Sequence, residues 1–339
     1  MDETDVYELT NRLVSVSSQR HSTRRGQANP PEGYIFHYTT AAGLQGIVES
    51  NCLHASGAYF LNDYSELEYG RKILADVFDQ WELDNPEAAQ DLTAELVYDL
   101  RERITDEKGR EALVHSVYLA CFCQRDNVLS QWRTYGQAGG YSVGFPVVLG
   151  AIRGVGPESP SYTSLLTRVE YRREKQIEAC KEILNLILPV ADDRAMQRFG
   201  RTINVPTYHG PTTAYDFMLN VAQEMLVDEI LSFKDKAFEE EDEWRLIVRP
   251  RKFLLHAEDD RGKTQTKIYF RPHRGLVVPF LKLHPMVEGK PGGKLPIARI
   301  TSGPSIDQGR ASASVRLLLT QYGFPDADIR GSQITVAPG

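Results

Sequence analysis

At 339 residues the chain can bury one large core or two modest ones. Hydrophobic residues make up 41% and charged residues 25%, the balance of a globular protein, and no apolar run approaches the ~20 residues of a membrane-spanning helix. A net charge of −7 argues against a broad nucleic-acid surface.

The opening MDETDVYELTNRLV is acidic and has no apolar centre, so it does not read as a signal peptide, and a cytoplasmic, membrane-free protein is expected. Cys52, Cys121, Cys123 and Cys180 form no CxxC pair and read as reduced thiols with packing roles. The basic clusters at Arg20 to Arg25, Arg168 to Lys175 and Arg249 to Lys252 read as solvated surface.

Asp5 to Ser15 fits a short helix with Val6, Leu9, Leu13 and Val14 on one face. A Ser-, Arg-, Gly- and Pro-rich linker runs from Ser17 to Glu32. Tyr34 to Tyr38 is a compact apolar strand. Thr39 or Thr40 can cap the helix that runs to Ser50, and Cys52 to Ala55 is a second strand. Ser65 to Trp81 is amphipathic, and Pro86 opens a helix to Ile104. Ser116 to Cys123 is a buried-type strand, Asn127 to Tyr135 one or two helical turns, and Tyr141 to Phe145 another strand. Leu165 to Tyr171 is strand-like. Helices then cover Arg172 to Val190, a continuation to Arg201 and, after a loop with Pro206 and Pro211, Thr213 to Ser232. The remainder is mostly strand (Glu243 to Val248, Thr266 to Phe270, Gly275 to Leu283, Ile297 to Ser302, Ile334 to Val336), with a helix from Gln308 to Tyr322. These elements predict residues 1–33 as an N-terminal helix and linker. They predict 34–339 as a single α+β domain around a central mixed or split sheet, with a helical insert over 171–232.

Four stretches carry chemistry. His37 ends an apolar strand beside Tyr38 and Thr39. It is either a core-edge histidine with a satisfied hydrogen bond or one that donates to a ligand hydroxyl. Gly57 to Tyr64 joins a tight glycine to Tyr59, Asn62, Asp63 and Tyr64, with Tyr69 a turn further on. Aromatic planes suit a nicotinamide or base, while Asp63 with Glu66 also fits a helix-capping box. Trp132 and Tyr135 share a helical face, as a core anchor or a ligand contact. Glu239 to Glu243 enters a strand directly, so Glu241 and Glu243 are expected on one face and Trp244 and Leu246 on the other. A carboxylate so placed can bind a ribose hydroxyl and stabilise an oxocarbenium cation. No metal-ligand cluster is visible and no metal is expected.

Together these blocks resemble the bacterial family called domain of unknown function 2971. They are His37-Tyr38-Thr39; Asn62-Asp63 with Glu66; Trp132, Tyr135, Gly140 and Phe145; and Glu241, Glu243, Trp244 and Arg245. The order histidine, paired tyrosines, glutamate also resembles the H-Y-E group of ADP-ribosyltransferases. That resemblance implies NAD as substrate, and His37, with Tyr38 and Thr39 beside it, as the ribose anchor. It implies Tyr59 and Tyr69 as the nicotinamide sandwich, with Tyr64 as the substitute for Tyr69. Glu243, or else Glu241, would be the catalytic carboxylate. It further implies a toxin-like effector in phage defence or a toxin–antitoxin pair, with a protein or nucleic-acid target and a neutralising partner. Two other readings compete. One is a non-catalytic nucleotide- or partner-binding module using the cleft and Trp132 and Tyr135. The other is a metal-dependent nuclease built on Asp63, Glu66, Glu241 and Glu243, which lacks an accompanying lysine in a compact motif.

Overall fold

The computed structural model describes residues 7–8, 10–15, 33–61, 65–86, 91–107, 109, 117–136, 139–147, 155–157, 162–207, 210–250, 266–273, 275–287, 290–304 and 307–334. The linker, Val6, Leu9, Asn62, Asp63, Tyr64 and the end of the expected last strand lie outside these residues.

In chain order, β1 (Tyr34–Thr40) leads into α1 (Ala41–Ser50), followed by β2 (Leu53–Gly57), α2 (Ser65–Asp84) and α3 (Leu92–Ile104). The Thr40 hydroxyl accepts the Gly43 amide at 3.1 Å, so the second of the two threonines is the cap of α1. Asp91, not Pro86, sets the start of α3, its carboxylate accepting the Ala94 amide at 2.9 Å. After β3 (Tyr118–Cys123) a short helix at Leu129–Gln131 continues as a π turn at Trp132–Gly136. Next come β4 (Gly140–Pro146), β5 (Val155–Pro157), β6 (Tyr162–Arg168), α4 (Arg173–Ala191) and α5 (Arg194–Phe199). The Pro206 and Pro211 segment, expected as a loop, is a two-stranded hairpin of β7 (Asn204–Thr207) and β8 (Gly210–Thr213) before α6 (Ala214–Ile230). The chain then runs through β9 (Glu243–Pro250), β10 (Tyr269–His273), β11 (Leu276–Val287), β12 (Lys290–Pro291), β13 (Arg299–Ser302), α7 (Gln308–Gln321) and β14 (Asp328–Gly331).

The protein is mixed α+β and divides into two compact units. The first takes residues 1–26, 61–115 and 170–236, so the α2 and α3 segments group with the expected insert. Leu13 is buried in its N-terminal helical stretch, while Val14, expected on the same face, is exposed. Inside this unit Gly70 of α2 lies against α6 so closely that an added Cβ would meet the Ile230 carbonyl oxygen at 2.5 Å. Arg71 caps the end of α3, donating to the carbonyls of Ile104, Thr105 and Asp106 and to Glu68. The buried Gln176 amide donates to the carbonyls of Glu170 and Lys234.

The second unit takes residues 27–60, 116–169 and 237–339. Its sheet runs β10-β11-β2-β3-β1-β4-β13-β14, with β9 bridging β3 and β6, and β5 and β12 paired to β11. β13 and β14 are parallel and the other pairings antiparallel, so the sheet is mixed. One face carries the main core, where Ile35, Phe122, Phe145, Trp244 and Leu246 meet α1 and α7. The opposite face carries a smaller cluster of Phe36, Tyr38, Cys123, Val128 and Trp132. All four cysteines are free thiols, three of them buried. Among the described residues no helix is long and apolar enough to cross a membrane.

Candidate functional site

The centre of the second unit is a break in one edge of β3. β1 meets that edge at Phe36 opposite Cys123, and β2 meets it at Ser56 opposite Leu119 and Gly57 opposite Tyr118. Among the described residues no strand pairs with the edge between them, and a backbone carbonyl there needs a donor. The His37 imidazole supplies one, its Nδ1 lying 2.9 Å from the Cys121 carbonyl oxygen.

That bond fixes the chemistry of the ring. A carbonyl can only accept, so Nδ1 carries the proton. Burial, and secondarily the Arg271 charge, hold the imidazole below its ordinary proton affinity, outweighing the bond to Cys121. His37 is therefore neutral at pH 7 with a bare Nε2, which makes no hydrogen bond among the described residues. It can accept from a ligand hydroxyl. The expectation that it donates is corrected by the tautomer.

Strand alternation places the other residues. Side chains opposite each other in a ladder share a face, and successive ones alternate. Phe36, Cys123 and Glu243 lie in one row across β1, β3 and β9, so they share a face. His37 lies on the other, with Phe122 and Trp244, and its ring meets Phe122 edge-on at 5.9 Å. Both oxygens of the buried Glu243 carboxylate are bound by Arg245, at 2.8 and 3.0 Å. Glu241, expected on the face of Glu243 by strand alternation, lies outside the strand. It ends a 3-10 turn (Lys236–Glu241), and Asp242, at φ 45°, breaks the alternation before β9 starts at Glu243. Asp242 is held there by Arg168 at 2.8 Å. Glu241 is half-buried.

Tyr59 lies in the 3-10 turn Ala58–Phe60, half-buried, with its ring against Phe60 and its hydroxyl without a hydrogen bond among the described residues. Gly57 makes room for packing, since a Cβ there would meet Phe60 at 3.1 Å and Pro279 at 3.2 Å. Tyr38 is structural: its hydroxyl donates to the Arg125 carbonyl and accepts the Val128 amide, both at 2.9 Å, with Trp132 edge-on to its ring. Trp132 is buried and donates to Asn127, and Tyr135 packs on the same cluster, so both serve that cluster. Thr39 lies beside Gly43 of α1. Tyr69 belongs to the first unit, where its hydroxyl donates to Gln176. Glu66, also there, pairs with the buried Lys234 at 2.8 Å, and Asp63, its expected capping partner, lies outside the described residues.

The reading of strands and motifs missed a second feature on β2, β10 and β11. His54, Ser56, Tyr269, Arg271, Phe280 and Lys282 all point to one face by their register. His54 packs on Phe280 at 4.2 Å, and Tyr269 stacks on Phe280 at 5.7 Å. Lys282 and Lys267 lie over Tyr269, and Arg271 lies over Phe280. Arg271 donates to Ser56 at 2.8 Å and approaches His54 Nδ1 at 3.4 Å. Burial, then Arg271 and Lys282, push the His54 imidazole down to about 4. An Arg at the middle of an alternating edge strand was the available sign in the sequence. Among the described residues no group of three or more His, Cys, Asp or Glu is placed to hold a metal ion.

Fold and site together define a mixed α+β protein with a break in its sheet and a cationic, aromatic-lined face. Residues 131–246 match the model of a family described as "Protein of unknown function (DUF2971)". That stretch includes Trp132, Tyr135, Glu241, Glu243, Trp244 and Arg245 and stops short of His37 and Glu66. No curated protein and no solved structure matches the chain.

Proposed function

We propose that this chain is a nucleotide-binding protein that takes NAD where β1 and β2 part, with His37 accepting a ribose hydroxyl. One observation carries the reading: a neutral imidazole of fixed tautomer, with a bare Nε2, at a break in the sheet. The half-buried Tyr59 ring of the same unit offers an aromatic plane for nicotinamide or adenine.

A second reading is an ADP-ribosyltransferase that breaks the nicotinamide–ribose bond. Departure of nicotinamide leaves positive charge on the ribose, which a carboxylate can stabilise. Glu243 is a poor candidate, because its charge is balanced by Arg245 and it lies on the face opposite His37. Glu241 favours the reading, since the left-handed Asp242 separates its direction from that of Glu243. The test is to incubate the full chain with NAD, following bound NAD and free nicotinamide in wild type, Glu241→Gln and Glu243→Gln. Binding without release supports the first reading. Release that is lost in Glu241→Gln supports the second. Neither binding nor release removes both.

A further inference from the structure

We propose that the face formed by β2, β10 and β11 is a binding site for a phosphoryl group, with Arg271 as its principal ligand. The inference goes beyond the NAD reading, because it concerns phosphate from any small phosphorylated ligand and does not use His37.

Arg271 is half-buried, and burial alone depresses its proton affinity. Its hydrogen-bond partners are neutral: the Ser56 hydroxyl and a His54 ring held in the uncharged form. Among the described residues no carboxylate lies within ion-pair distance of Arg271, Lys282 or Lys267, although the chain as a whole carries a net charge of −7. A partly desolvated cation without a counter-charge is costly, and the cation–π contact with Phe280 offsets only part of that cost. Conventional surface arginines of this protein behave differently: Arg168, Arg172, Arg173 and Arg201 each meet a carboxylate within 3 Å.

The donor set selects the ligand. A guanidinium fork gives two parallel hydrogen bonds to an oxyanion, the geometry that phosphate accepts. Ser56 adds a hydroxyl, and Lys282 adds a point charge from the neighbouring strand. Two or more positive charges with no internal balance favour a multiply charged anion over a carboxylate. His54 adds a proton-linked contact, since an anion beside it stabilises the imidazolium and raises its proton affinity.

The test uses the full chain with inorganic pyrophosphate as probe, read by calorimetry at low salt, with unfolding curves to check each variant. Wild type is expected to bind, Arg271→Gln to bind about tenfold or more weakly, and Arg271→Lys to fall between them. Should Arg271→Gln fail to fold, Lys282→Gln and the NMR titration of His54 in the wild type replace it. The His54 midpoint is expected to rise when pyrophosphate is added, and Lys282→Gln to weaken binding. Absence of pyrophosphate binding to wild type overturns the proposal, as does equal affinity in the folded variants. Pyrophosphate binding without NAD binding leaves this proposal standing and removes the NAD reading alone.

Discussion

Glu243 and Arg245 stand two residues apart on β9 and bind each other through both carboxylate oxygens, with side chains only 7% and 2% exposed. Their alternation puts them on one face, where each neutralises the other. The pair explains why a glutamate in an otherwise apolar strand need not be a catalytic group. Glu243→Gln removes the carboxylate that binds the buried Arg245 guanidinium through both oxygens and is expected to destabilise the protein by about 3–5 kcal/mol. Replacing both residues, as Glu243→Leu with Arg245→Met, is expected to recover most of that loss, because the desolvation of both charges disappears with them. Urea unfolding of the two variants measures the difference.

Gly70 sets the approach of α2 to α6. An added methyl would meet the Ile230 carbonyl oxygen at 2.5 Å and its Cβ at 2.9 Å. Gly70→Ala gains about 1 kcal/mol of helix propensity but overpacks a contact made by backbone, at a cost of about 1–3 kcal/mol. Net destabilisation, seen as a lowered Tm, is expected because backbone cannot swing away as a flexible side chain can.

Two half-buried histidines make stability fall with acid. His54 titrates near 4 in the folded chain against 6.5 in an ordinary setting, and His37 is shifted in the same direction. As pH drops below 6.5 the unfolded chain takes up protons that the folded chain refuses, so unfolding is favoured down to about pH 4. Urea midpoints measured between pH 7 and pH 4.5 are expected to fall, and His54→Gln to flatten part of that slope. An unchanged slope in that variant places the proton uptake elsewhere.

Much of the element order was legible because its signals are local. The Thr40 cap, the Asn51 end of α1 and the amphipathic faces of α2 and α6 each act within a few residues. The β7–β8 hairpin was hidden by Pro206 and Pro211, which read as breakers, and β14 by its short, polar sequence. The site was legible only as residue types. His37 and Tyr59 stood out as polar or aromatic groups beside apolar strands. Which face Glu243 takes depends on register with Cys123, a pairing about 120 residues distant in sequence. The cationic face was hidden for the same reason, since the sign at Arg271 points to none of its partners. It is assembled from β2 and from a hairpin more than 200 residues later, and His54 and Arg271 carry no motif that links them.

The claim that NAD sits where β1 and β2 part is tested most directly by titrating NAD into the wild type and into His37→Gln, with unfolding curves as the control for folding. Wild type is expected to bind NAD, and the variant to bind it about three- to tenfold more weakly, the loss of one hydroxyl hydrogen bond. No binding by the wild type, or equal affinity in a folded His37→Gln, would contradict it.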